Sequence, residues 1–153
     1  MTPELRELYQ EVILDHGRRP RNFRTMDAST HHADGFNPLC GDKVYLKLVV
    51  KDDIIQEAAF QGQGCAISTA SASMMTEMLK GMDTTQAMEL AGRVRALVSG
   101  NDEEAAAVRE RVGKLSVFSG VREYPARVKC ATLVWHTLKS ALNNGSNEPV
   151  STE

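Results

Sequence analysis

The chain has 153 residues, of which 42% are hydrophobic and 25% are charged, as in an average globular domain with its own core. Its 18 Lys and Arg against 20 Asp and Glu give a net charge of -2 without a long basic run, which argues against nucleic-acid binding. The chain starts without a basic, apolar leader and contains no stretch of about 18 apolar residues, so we expect a cytoplasmic protein without a membrane span.

The N-terminal residues predict an amphipathic helix that ends near Gly17. Thr2 and Pro3 are residue types favoured at a helix cap and at the first helical position. The apolar stripe of this helix consists of Leu5, Leu8, Val12 and Ile13. Three arginines then surround Pro20, and we interpret this basic segment as a solvated turn.

Two segments in the first half of the chain predict an antiparallel hairpin. Residues 43–51 alternate in polarity, and residues 54–60 form a second apolar stretch. Asp52 and Asp53 between them make a short polar turn. A third, short strand is expected before Cys40.

The rest of the chain predicts helices. Cys65 precedes a run of small residues, which places it at a helix start, where the helix dipole favours the ionised thiol. The helices expected after it cover 84–98, 102–111 and 128–142, and a loop covers 117–126. Cys130 is expected in the first turn of the last helix.

These elements together predict an α+β fold. A small antiparallel sheet of about three strands should be covered by helices on one face. We expect a single domain at 1–142. The remaining residues, 143–153, are polar and lack periodicity, which predicts a disordered tail.

Three cysteines and one aspartate are the candidates for chemistry. Cys40, Asp42, Cys65 and Cys130 offer three thiols and a carboxylate, a set whose number and softness suit one tetrahedral zinc ion. An odd number of widely spaced cysteines argues against a disulfide framework. Three buried free thiols and a purely structural zinc site are the alternatives.

The histidines are weaker ligand candidates. His31 and His32 are adjacent in a polar segment that we expect to be a solvated loop. His136 follows Cys130 at a spacing that puts it on another face of the helix. We assign none of them a role at the metal.

Three motifs, in this order, resemble the IscU/NifU-N family. They are NPLCGD at 37–42, GQGCAIS at 62–68 and PARVKCA at 125–131. The resemblance covers nearly the whole chain up to about Leu142. It implies the SufE/NifU-like (IscU-like) α+β fold and a role in iron-sulfur cluster assembly.

Two departures from the family pattern resemble its SufU branch. Scaffold members carry a histidine directly before the third cysteine, whereas this chain has Lys129, and the segment between Cys65 and Cys130 is longer by about one helix. The resemblance implies zinc held by Cys40, Asp42, Cys65 and Cys130. It also implies a zinc-dependent sulfurtransferase that accepts persulfide sulfur on Cys40 from a pyridoxal-phosphate-dependent cysteine desulfurase of the SufS type.

The alternative function is a scaffold on which an iron-sulfur cluster is assembled and transferred. Such a protein would bind iron or a cluster in place of zinc. Lys129 argues against it, because a protonated lysine is a poor metal ligand. In either case the resemblance implies downstream cluster-assembly proteins as further partners.

Arg127 is a possible supporting residue at the same site. It stands three residues before Cys130 and resembles a family arginine near the metal, which implies that it holds Asp42 or a thiolate in place. A solvated surface arginine is the alternative, because closeness in sequence does not fix the direction of a long side chain.

Overall fold

The computed structural model describes residues 2–143 and 150–151. Its helices and strands, in chain order, are α1 (Pro3–Arg18), β1 (His31–Asn37), β2 (Asp42–Lys51), β3 (Ile54–Gln63), α2 (Ala66–Leu79), α3 (Thr84–Ser99), α4 (Asp102–Val108), α5 (Pro125–Leu142) and β4 (Val150–Ser151). A segment of tight helical turns, Arg109–Glu123, connects α4 to α5. None of the helices found among the described residues combines the length and apolar character needed to span a bilayer.

The strands form one sheet in the order β3-β2-β1-β4. β1, β2 and β3 are antiparallel neighbours, which confirms the predicted α+β fold with three antiparallel strands. The third strand expected before Cys40 is β1, which contains seven residues. His31 and His32 therefore lie on a strand, and the expectation of a polar loop there was wrong.

The helices cover one face of this sheet. Val44, Leu46 and Leu48 alternate with exposed residues along β2, and all three are buried beneath the helical layer. α5 packs on β1 and β2 and also contacts α2 and α3, so it is the central helix of that layer. Ser71 of α2 links the two helices, because its hydroxyl donates to the Ala131 carbonyl at 2.6 Å and accepts from the Trp135 indole at 3.0 Å.

Several element boundaries differ from those predicted. β3 continues to Gln63, and α5 begins at Pro125, so Cys130 lies in the second turn of its helix. The helix predicted at 102–111 ends at Val108, and most of the loop predicted at 117–126 consists of helical turns. The physical reason is burial, because Val117, Phe118 and Val121 of these turns belong to the core.

The predicted disordered tail at 143–153 is described only in part. Residues 144–149 and 152–153 lie outside the described residues. Val150–Ser151 form the short strand β4, which pairs in parallel with β1 at Gly35 and Phe36. Helix α5 ends at Leu142, and the single domain at 1–142 stays a prediction.

A buried histidine holds α1 against α2. The N-terminal helix has the predicted Thr2 cap, whose hydroxyl accepts from the Leu5 N–H at 3.1 Å. Near its other end His16 is 8% exposed, and its Nδ1 lies 2.7 Å from the Ser73 hydroxyl of α2. Burial lowers the pKa of His16 below its usual range, and the Arg21 charge lowers it further, whereas Glu77 acts in the opposite direction.

We expect His16 to make the stability of the fold depend on pH. Because its pKa is lowered in the folded state, the unfolded chain takes up a proton first as the pH falls below about 6.5. The stability is thus present above that pH and is lost below it. Between about pH 7.5 and 5.5 the melting temperature should fall by on the order of 2 °C more for the wild type than for His16→Asn. The exposed His32→Asn is the control, and an unchanged pH slope in His16→Asn would contradict the assignment.

Candidate metal centre

Three potential ligand atoms come together where the β1–β2 turn meets α5. Cys40 Sγ, a carboxylate oxygen of Asp42 and Cys130 Sγ all lie within 4.8 Å of one another. Asp42 and Cys130 are buried, whereas Cys40 is exposed. The group is therefore open to solvent on the Cys40 side.

Asp42 is directed inward by the alternation of β2. It is the first residue of the strand and shares the phase of buried Val44 and Leu46, so its carboxylate lies on the core face and is 1% exposed. Its Oδ1 accepts the Cys65 backbone N–H at 3.0 Å. Its Oδ2 is buried and has no hydrogen-bond partner among the described residues.

This unpartnered oxygen is the structural test of whether a metal fits. A buried carboxylate oxygen without a hydrogen bond is costly unless a cation neutralises it. The two sulfur atoms beside Asp42 are soft ligands that favour zinc or iron over magnesium or calcium. The residues present therefore fit a thiolate-bound metal.

Cys40 lies on a tight turn between β1 and β2. The turn closes through a hydrogen bond from the Gly41 N–H to the Asn37 carbonyl at 2.9 Å. Gly41 has a φ of 72°, a left-handed conformation that favours glycine. The glycine that follows Cys40 thus lets the chain reverse and enter β2 at Asp42.

Cys130 forms the buried side of the group. It is 3% exposed, and its Sγ lies 3.7 Å from Cys40 Sγ and 3.5 Å from the Ala126 carbonyl. Burial raises the pKa of the Cys130 thiol, and the nearby Asp42 carboxyl and Cys65 thiol raise it further. Metal binding at this sulfur would therefore release a proton.

Cys65 lies beside the group of three rather than within it. It caps α2, as expected from its position in sequence, and its Sγ accepts the Ser68 N–H at 3.4 Å. Its backbone binds Asp42, and its thiol contributes to the raised pKa of Cys130. The structure thus brings three of the predicted ligands together and places the fourth next to them, while the four-residue ligand set stays a prediction.

The other candidate residues take no part in this group. The Arg127 side chain is exposed and makes no hydrogen bond or ion pair with any part of the chain that the structure describes. His31, His32 and His136 are absent from the candidate ligand group found among residues 2–143. His136 is half-buried on α5, where burial lowers its pKa.

Sequence reasoning gave no role to two residues that shape the site. Asn37 is fully buried, and its Nδ2 lies 3.8 Å from Cys130 Sγ. Gly64 leaves room for the carboxylate, because a Cβ at this position would be 2.7 Å from Asp42 Oδ1. Both residues stand inside the motifs at 37–42 and 62–68, so the motifs were the available signal, but only the packing shows what the two residues contact.

Comparison with known proteins gives one family for nearly the whole chain. The family model for the NifU-like N terminal domain matches residues 8–131. The zinc-dependent sulfurtransferase SufU of Bacillus subtilis is 38% identical over 135 residues, which cover 88% of this chain and 89% of the relative. The iron-sulfur cluster assembly scaffold protein IscU of Streptococcus pyogenes is 36% identical over 144 residues, which cover 94% of this chain and 88% of the relative.

A solved structure agrees with this result. The crystal structure of FiSufU, a protein assigned to the SUF system of Fervidobacterium islandicum AW-1, matches with a TM-score of 0.79. It is 33% identical, and the match covers 89% of this chain and 97% of that one. The fold and the sequence motifs therefore lead to the same group of proteins.

We expect Gly64→Ala to weaken metal binding without unfolding the protein. The added Cβ would displace the Asp42 carboxylate, because the two would be only 2.7 Å apart. A chelator competition with Zn²⁺ should show about a tenfold or larger loss of affinity. Gly92→Ala is the control, because nothing lies within 4 Å of a Cβ there. Equal affinities in the two variants would show that the Asp42 position does not matter for the metal.

Proposed function

The chain belongs to the family of NifU-like N-terminal domains, and we propose that it is a zinc-dependent sulfur acceptor in iron-sulfur cluster assembly. Cys40 is the acceptor, and a cysteine desulfurase of the SufS type is the donor. Similarity to the zinc-dependent sulfurtransferase SufU of Bacillus subtilis supports the zinc-dependent activity.

The unequal exposure of the cysteines is the observation that carries this proposal. Cys130 and Asp42 are buried, and Cys65 is half-buried, so these three groups are held within the fold. Cys40 alone among the three cysteines is exposed. A purely structural zinc site needs no accessible sulfur, whereas a sulfur acceptor requires one.

The residues that would hold the ion are Cys40, Asp42 and Cys130, with neighbouring Cys65 as the fourth ligand. Zinc, when bound, keeps its thiolate ligands deprotonated at neutral pH. The Cys65 N–H holds Asp42 Oδ1 and so leaves Oδ2 available to a cation. The buried residues thus fix the site, while Cys40 forms its solvent-facing side.

The sulfur transfer itself is a thiol exchange. The Cys40 thiolate attacks the outer sulfur of the desulfurase persulfide, and a new S–S bond forms at Cys40 Sγ as the original S–S bond breaks. The desulfurase cysteine leaves as a thiolate, so the step needs no external oxidant or reductant. The position of Cys40 on an exposed turn gives the partner access to its sulfur.

A cluster scaffold is the second candidate function. The Streptococcus pyogenes relative is named as a scaffold at nearly the same identity as the SufU relative, which favours this alternative to a similar degree. Lys129 stands where the resemblance places a histidine in scaffolds, and a protonated amine does not bind a metal readily. We therefore place the sulfur acceptor first, acting in the cytoplasm, where cysteines remain reduced.

Metal analysis and desulfurase kinetics together test the proposal. Protein purified without added metal should contain one zinc per chain and should accelerate turnover of a SufS-type desulfurase. Mass spectrometry after mixing with desulfurase and cysteine should show one added sulfur atom on the wild type. Cys40→Ser keeps the size of the side chain but should take up no sulfur.

Two outcomes would contradict this function. Sulfur uptake by Cys40→Ser at the wild-type rate would show that another residue is the acceptor. Iron and sulfide in the purified protein, with visible absorption and no effect on the desulfurase, would identify a scaffold.

A further inference from the structure

We propose that Asn37 is a positioning residue that ties the Cys40 turn to the Cys130 sulfur and thereby controls metal retention. This inference rests on the metal site of the proposed function. It concerns a residue that does not ligate the ion and whose side chain contacts both sides of the site.

The Asn37 side chain has its polar contacts at the metal centre. The residue is 0% exposed, so its carboxamide has no access to bulk water. Its Oδ1 accepts the N–H of Leu39, the residue before Cys40, at 3.2 Å. Its Nδ2 lies 3.8 Å from Cys130 Sγ, which is its only hydrogen-bond partner in the described part of the chain. A buried carboxamide that relies on a sulfur acceptor depends on the state of that sulfur.

The orientation of the Asn37 carboxamide follows from its contact with the Leu39 backbone N–H. A backbone N–H can be accepted only by the oxygen of the amide, so Oδ1 must face Leu39. The NH₂ group must then face Cys130 Sγ. Asn37 is therefore a donor to the Cys130 sulfur.

Asn37 is also held by the backbone next to Asp42. Asn37, the last residue of β1, pairs with Asp42, the first residue of β2. Directly opposed residues of antiparallel strands share one face of the sheet. The Asn37 carbonyl accepts the Gly41 N–H at 2.9 Å, which closes the turn that carries Cys40. One residue thus contacts the turn through backbone and side chain and reaches across to α5.

A donor in this position favours the metal-bound form of the site. A thiolate accepts a hydrogen bond more strongly than a neutral thiol does, because the acceptor is charged. The Asn37 N–H groups therefore stabilise the thiolate of Cys130, while the Leu39 contact fixes the approach of Cys40. Losses of such supporting contacts usually cost about 10- to 100-fold in metal affinity.

Co²⁺ in place of Zn²⁺ gives a test that reports on the sulfur itself. We expect Asn37→Ala to bind Co²⁺ and Zn²⁺ about 10- to 100-fold more weakly than the wild type in chelator competition. Its thiolate-to-cobalt absorption should move to longer wavelength, because an unbonded thiolate gives up its electrons more easily. Asn37→Asp keeps the acceptor for Leu39 but lacks the donor, and it should show the same direction of spectral shift.

Thr137→Val is the matched control. Thr137 is also fully buried, lies on the same helix as Cys130, and donates to the Leu133 carbonyl at 2.8 Å. Its replacement removes a buried hydrogen bond without touching a sulfur. It should lower the melting temperature but leave the cobalt spectrum unchanged, whereas a merely structural Asn37 would behave in the same way as Thr137.

The outcomes separate this inference from the proposed function. Unchanged affinity and spectra in both Asn37 variants would overturn the role of Asn37, and so would an equal spectral shift in Thr137→Val. A wild type that binds neither Co²⁺ nor Zn²⁺ would instead contradict the zinc-dependent function and, with it, this role. Spectral shifts in both Asn37 variants and none in the control would support the assignment, whatever the effect on a desulfurase.

Discussion

The burial of the Asp42 carboxylate is the constraint on which the rest of the site depends. A carboxylate at 1% exposure is costly unless hydrogen bonds or a cation compensate for its lost hydration. The fold supplies one hydrogen bond, from the Cys65 N–H at the start of α2, and the second oxygen has no hydrogen-bond partner within the described part of the chain. The Cys40 and Cys130 sulfurs lie beside this carboxylate and Cys65 lies next to them, so a divalent cation bound there would offset part of the negative charge of the group.

The sequence allowed the sheet to be predicted well where polarity alternates and poorly where it does not. The alternation of apolar residues along β2 places Asp42 on the buried face of the strand. This conclusion requires knowing that the strand starts at Asp42, which only the structure shows. β1 was hard to predict because His31–Asn37 contains few β-branched or large apolar residues. Gly35 in that strand allows close packing of Thr137 and Leu133 of α5, and a local pattern cannot reveal such a neighbour.

The candidate ligands could be named from sequence, but their arrangement could not. The residue types and motifs of Cys40, Asp42, Cys65 and Cys130 identify them as ligands suited to one metal ion, and this chemical argument needs no structure. Which sulfur is exposed depends instead on how α5 packs on the sheet. The turns at 109–123 show the same limit, because Gly113 interrupts the helical pattern with a φ of 56° while burial of the following residues still orders the chain.

The candidate ligands come from distant parts of the chain, and this has a consequence for folding. Cys40 and Cys130 are 90 residues apart, so an ion held by both would act as a reversible cross-link. In the chain-entropy account, closing a loop of this length restricts the unfolded chain by about 4 to 5 kcal/mol, to the extent that the cross-link persists on unfolding. Asp42 and Cys130 close a loop of almost the same size. Cys40 is therefore nearly redundant for chain closure, and its release from the ion would cost little of this entropic stabilisation.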